Sequence, residues 1–330
     1  MEKRIDLEIK GKPYSIPNAW EELTPAQFIF LSGLLRQYAA GLLSVSDVRL
    51  RFVVFVLEIY MRYVPKKHRD TIAQNLYILL SKVTFIFNIK YPDTVWNNIS
   101  PELRKIACKT EPTDLPDSPE ARLLRRSDYS YVVDACFAAQ LLPSVKAGDI
   151  ELNGYTVNTS CGQLSSSLTA RQYVDASECL AGIDKNRDLM PLLAATLYQP
   201  GAYSSVWAHD NARVLSSVDQ SILEAVALNF QAFVLLLFTK THFSILWQKG
   251  DKGKANKNKL SVGLKEGIYA LSEDGYGDIN TVGDMPLIEY LEILRKKKID
   301  AVRSMHSAEM KLTEIAEKTG LDIETINKII

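Results

Sequence analysis

Apolar and polar residues alternate at the start of the chain, where Ile5, Leu7 and Ile9 are interleaved with Asp6, Glu8 and Lys10. A period of two is that of a half-buried strand. Gly11 supplies a turn, and Pro13-Tyr14-Ser15-Ile16-Pro17 reads as a short returning edge strand. The pattern then lengthens to a helical period. Thr24 stands before Pro25, and Gln27 follows at the third helical position, which together form a capping box at a helix start. Further helices are predicted over residues 25–38, 45–63, 67–87, 129–142, 170–182, 188–198, 218–247 and 287–305. The expected fold class is mainly α, with two related helical modules that each open on a small β-hairpin, plus a C-terminal helical extension.

The relation between the modules comes from comparing the chain with itself. Asp6-Leu7-Glu8-Ile9-Lys10-Gly11 reappears as Asp149-Ile150-Glu151-Leu152-Asn153-Gly154. Leu23-Thr24-Pro25-Ala26-Gln27-Phe28 reappears, in the same order along the chain, as Leu168-Thr169-Ala170-Arg171-Gln172-Tyr173. Weaker matches follow between 52–60 and 190–198, and between 72–89 and 222–239. These matches predict one module copied in tandem. The expected organisation is a first module over 1–110, a proline-rich linker over 111–128, a second module over 129–248 as its duplicate, a lysine-rich loop over 249–259 and a helical region over 260–330. The linker is placed on Pro112, Pro116 and Pro119 among polar neighbours.

Composition narrows the class of protein. Of 330 residues, 47% are hydrophobic and 24% charged, which excludes a disordered or collagen-like chain. Lys+Arg and Asp+Glu both number 39, so no net field draws the whole molecule to nucleic acid or to an anionic membrane. Cys108, Cys136, Cys161 and Cys179 form no CxxC pair and no zinc spacing, and are expected to be inert thiols. The charged N-terminal residues lack the apolar core of a signal peptide. The most apolar stretch, 222–247, has a charge-free run from Ala225 to Thr239 that falls short of the about 20 residues of a spanning helix. It is expected to be a core helix. The expected location is the host cytoplasm during assembly, or the virion.

Local signatures of catalysis are missing from the sequence: there is no G-x-S-x-G, no P-loop and no G-x-G-x-x-G. His68, His209, His242 and His306 are scattered, and none has metal-ligand spacing. No catalytic, cofactor-binding or metal-ligating residue is assigned, no cofactor is expected, and the chain is expected not to be an enzyme. Asp274-Gly275-Tyr276-Gly277-Asp278 begins like a calcium loop, but Met285 stands where the bidentate Glu would be, so an ordinary turn is expected. The lysine loop, with Lys249, Lys252, Lys254, Lys257 and Lys259, carries no aromatic residue for base stacking and reads as a solvated insertion.

Two resemblances bear on function. Residues 312–330 resemble a helix-turn-helix, with Ala316 at the small position of the first helix, Gly320 at the turn and Ile326 at the apolar contact of the second. The second helix, however, offers Asp322 and Glu324 near its start and Lys328 as its one basic residue, which suits packing better than base contacts. Trp20-Glu21-Glu22-Leu23-Thr24-Pro25-Ala26-Gln27-Phe28, following a short strand, resembles the opening of uncharacterised phage and prophage proteins of Bacteroidetes, of tail- or virion-assembly character. That resemblance implies a non-enzymatic assembly protein, a tail-assembly chaperone or a structural virion component. Its partners would be phage structural proteins or further copies of itself, rather than nucleic acid or a membrane. The alternative is a DNA-binding regulator that uses the C-terminal helix pair.

Overall fold

The computed structural model describes residues 3–9, 11–59, 65–247 and 257–330. It is mainly α, with small antiparallel two-stranded sheets, and it divides into unit 1, Met1–Ala135, and unit 2, Cys136–Ile330.

Unit 1 opens with the hairpin that the alternation predicts. Strands β1 (Arg4–Ile9) and β2 (Lys12–Pro17) pair with Leu7 opposite Tyr14, and Gly11 turns between them at φ +75. A left-handed turn is where a residue without a Cβ is needed. Helix α1 (Pro25–Ala39) starts on the predicted capping box: Thr24 Oγ1 accepts from Gln27 N, and Gln27 Oε1 accepts from Thr24 N. Thr24→Ala should therefore destabilise unit 1 by about 1 kcal/mol, readable in urea unfolding. Helix α2 (Val45–Val56) carries a second capping box, from Ser44 and Asp47. It ends earlier than predicted, and Tyr60–Val64 lie outside the described residues. Helix α3 (Lys66–Lys82) also stops short of the predicted end, because Phe87 begins strand β3 (Phe87–Lys90).

Two corrections fall in the rest of unit 1. The predicted linker at 111–128 is packed. After α4 (Asp93–Trp96) and α5 (Pro101–Ala107), a helical turn at Pro112–Asp114 leads into α6 (Pro119–Arg126). Leu115, Ala121 and Leu124 from this segment join Ile89, Ile99 and Leu103 in one core cluster. Pro119 sits at the first helical position, where a missing N–H costs nothing, and the Ser118 hydroxyl accepts from Ala121 N. The predicted helix over 129–142 is also not formed. Its first residues make strand β4 (Ser130–Val133), paired with β3, as the Tyr-Val-Val composition favours. The boundary between the units therefore falls after Ala135, not at the prolines.

Unit 2 begins with a hairpin of β5 (Ser144–Ala147) and β6 (Ile150–Asn153), followed by the short pair β7 (Val157–Asn158) and β8 (Ser165–Ser166). Here the expected duplicate departs from its template. Asp6–Gly11 covers a first strand and its turn, whereas Ile150–Asn153 is the second strand of its hairpin and Gly148 makes the turn. Gly154 serves a different purpose from Gly11: a Cβ there would lie 2.7 Å from the Tyr198 ring. The likeness holds at the helix start. Thr169 caps α7 (Ala170–Gly182) by accepting from Gln172 N, as Thr24 does for α1. The second half of the box is lost, because the buried Gln172 side chain donates to Thr196 O instead.

Helices α8 (Leu189–Leu197), α9 (Ser205–Leu215) and α10 (Gln220–Lys240) follow. The predicted 218–247 helix is broken at Thr241 into α10 and a 3-10 turn, His242–Leu246. Helix α10 is long and apolar enough to cross a membrane by length and composition, yet 61% of its most apolar window is buried. Then come α11 (Lys257–Glu273), α12 (Ile279–Asp284), α13 (Leu287–Ser307), α14 (Leu312–Thr319) and α15 (Ile323–Ile329). Lys249, Lys252 and Lys254 of the predicted lysine loop lie outside the described residues, and Lys257 already begins α11. Backbone pairing of Leu168–Ala170 with Met285–Leu287 ties the start of α7 to the start of α13.

Candidate functional site

Helix α7 presents its apolar residues to the core and a polar stripe to the other side. Tyr173 and Ala176 are fully buried, while Arg171, Asp175 and Glu178 recur at helical spacing on the opposite face. That stripe does not simply face water. Helices α8, α9, α11 and α12 surround it and leave a cavity of about 480 Å³ within unit 2. Cavities that hold small ligands commonly fall between about 300 and 1,000 Å³.

The cavity is apolar on its α8 and α11 walls, through Leu189, Leu192 and Ile268. Its polar groups are mostly engaged. The Arg171 guanidinium donates through Nη2 to Ile279 O at 3.0 Å and to Asn280 Oδ1 at 3.1 Å. Gly283 makes room for it, since a Cβ there would come within 2.7 Å of Arg171 Nε. Lys265 pairs with Glu178 at 3.0 Å, both half-exposed, and that partner raises the Lys265 pKa. Asp175 is the exception. Its hydrogen-bond partner among the described residues is the neutral Tyr203 hydroxyl, which donates to Oδ2 at 2.5 Å.

Burial pushes the Asp175 carboxyl above the usual carboxylate range, against the pull of the Tyr203 hydrogen bond. Burial likewise raises the Tyr203 hydroxyl, and the Asp175 charge adds to it. The Cys179 thiol, one turn further along α7, is pushed up to about 12 by burial and then by the Asp175 and Glu178 charges. Burial thus disfavours its thiolate form. The sign for stability follows from the raised carboxyl. Above its folded-state pKa, Asp175 is ionised at a site that disfavours the charge, so it opposes folding there and not in acid. Asp175→Asn should raise the melting temperature at neutral pH, and the gain should vanish as the pH falls below that pKa. Calorimetry across the range reads both.

The residues singled out in the sequence are dispersed. His209 lies exposed at the cavity mouth on α9, and His68 on the exposed first turn of α3. His242 contacts Glu292 at 2.5 Å, and His306 is in the last turn of α13. Among the described residues, no group of three His, Cys, Asp or Glu side chains is placed to hold a metal ion. The calcium-like stretch is a turn: Gly275 and Gly277 have positive φ, and Asp278 caps α12 by accepting from Thr281 N. The side chain of Cys161 lies outside the described residues. The cavity itself was invisible in the sequence, where Arg171, Asp175 and Glu178 look like a solvated face; Tyr203 and Lys265 come from distant segments.

A second feature lies in unit 1. Of the 17 residues of α3, Leu76 alone is buried. Tyr77 is 76% exposed and Ile78 57%, beside the half-buried Leu79 and Leu80. These side chains leave apolar surface in solvent on one helical turn.

The C-terminal helix pair closes on an apolar core. Ile315, Leu321 and Ile326 are buried with Val302 and Ile245, and Gly320 ends α14 in the left-handed conformation at φ +69. Asp322 caps α15, and Lys328 pairs with Glu324 at 2.7 Å. No family of known proteins, no curated protein and no solved structure matches the chain.

Proposed function

We propose that this chain is a phage or prophage assembly protein, a tail-assembly chaperone or a structural virion component, that works through protein contacts. The observation that carries the contact part of the reading is α3, a 17-residue helix with one buried side chain and Tyr77 and Ile78 in solvent. A helix so placed gains most of its burial from a partner. The phage part rests on the resemblance of Trp20–Phe28. Within this chain those residues are structural: Trp20 Nε1 donates to Asp134 O at 2.6 Å, and Phe28 is fully buried.

The regulator alternative draws less support. The second helix of the C-terminal pair is capped by Asp322 and carries Glu324 in its first turn, and its one lysine is paired with Glu324. Those carboxylates would face the phosphates and base edges that such a helix normally approaches. Purification of the tagged full chain from phage-producing cells tests the reading. Co-purification of a head or tail protein, or a ring-shaped oligomer in negative stain, is the expected result. Salt-sensitive retention on duplex DNA that is lost on deleting Leu312–Ile330, with no structural protein retained, would replace it by the regulator.

A further inference from the structure

The cavity of unit 2 plays no part in the contact surface on α3, and its chemistry points elsewhere. Its lining holds two carboxylates, Asp175 and Glu178, and two cations, Arg171 and Lys265. Both cations already hold partners. Arg171 donates to Ile279 O and Asn280 Oδ1 and its charge also acts on Asp278, while Lys265 is held by Glu178. Asp175 has only the Tyr203 hydroxyl among the described residues, so it can accept further donors. Around it stand the apolar side chains of Val174, Leu192 and Ile268.

We propose that this cavity binds a small organic ammonium ion with an apolar body, its charge set against Asp175 and its body against the α8 and α11 walls. Two facts meet here. The volume of about 480 Å³ suits a molecule of drug size rather than a bare ion. Among the described residues the hydrogen-bond partner of the half-buried carboxylate is the Tyr203 hydroxyl, while Lys265 and Arg171 act on it through charge alone, and a charge-assisted hydrogen bond from an ammonium would add a direct cationic contact.

Calorimetric titration of the full chain with 2-phenylethylamine and with 2-phenylethanol tests this directly. The two share their apolar body and differ in the charged head. The amine should bind at least about tenfold more tightly than the alcohol. Asp175→Asn should remove that preference, leaving amine and alcohol within about twofold, while Tyr203→Phe should preserve it. The comparison of the two ligands on the unaltered chain stands even if Asp175→Asn does not fold. Equal binding of amine and alcohol, binding of neither at millimolar concentration, or full amine binding by folded Asp175→Asn would overturn the proposal. A lysine-containing peptide that binds where 2-phenylethylamine does not would also overturn it, in favour of a protein side chain as occupant. None of these readings involves α3 or an assembly partner, so failure here and failure of the assembly reading are separate results.

Discussion

Asn229→Ala should lower the stability of unit 2 by about 2–4 kcal/mol, with the amide of Leu141 losing much of its protection from hydrogen exchange. Asn229 sits in the middle of α10, 1% exposed, among phenylalanines and alanines. Its Oδ1 accepts from Leu141 N at 2.8 Å, and its Nδ2 donates to Ala139 O at 3.1 Å. The stretch from Asp134 to Pro143 forms neither helix nor strand, so its peptide groups have no ladder of their own. Asn229 supplies both a donor and an acceptor to it. Alanine removes both and leaves a buried N–H and C=O, each costing about 1–3 kcal/mol when unpaired. Gln231→Ala, at a half-buried position two residues on, should change stability by no more than about 0.5 kcal/mol. Urea unfolding of unit 2 compares the two. A loss below 1 kcal/mol for Asn229→Ala would mean that water takes over both bonds.

The second large effect concerns association. Tyr77→Glu combined with Ile78→Glu should weaken binding to the co-purifying structural protein by about 100-fold or more, since buried aromatic anchors at interfaces are each worth about 2 kcal/mol or more. The same pair of changes should leave the stability of unit 1 within about 0.5 kcal/mol, because both side chains are exposed in the free chain. Leu76→Ala gives the opposite pattern. It empties a buried position, 5% exposed, and should cost about 2–5 kcal/mol of stability. Surface plasmon resonance for the first and thermal unfolding for both separate contact from fold. If the Glu pair unfolds unit 1, α3 packs inward and is not a contact surface. If it binds as the unaltered chain does, the partner sits elsewhere.

Local signals were legible wherever one segment determines its own structure. The alternation at Ile5, Leu7 and Ile9 became β1, and Gly11 became its turn. Thr24 and Thr169 became caps, each holding the amide of a Gln three residues on. Where the structure departs from these local signals, the cause is shared. Pro112, Pro116 and Pro119 look like a break, but a proline at the first turn of a helix is a start, and whether that helix packs depends on partners such as Ile89 and Leu103 far away in sequence. Residues 129–142 carry enough apolar character for a helix. Pairing with Phe87–Lys90 turned the first part into a strand, and Asn229 holds the remainder. The tandem match at Asp6 and Asp149 rests on strand, glycine and cap signals that recur in unrelated settings. Tertiary neighbours assigned the two glycines opposite duties, a left-handed turn at Gly11 and a close approach to Tyr198 at Gly154.

Residue order alone thus settled the helical class, the first hairpin and the capped helix starts. These depend on hydrogen bonds and periodicities that span a few residues, and such terms are the same in any context. The cavity around Asp175, the exposed turn at Tyr77 and Ile78, and the boundary after Ala135 arose only on folding. Each depends on which distant surfaces meet, and burial is a property of the assembled chain: the same carboxylate stripe that would be solvated on an isolated α7 becomes half-buried once α8, α9 and α11 pack around it.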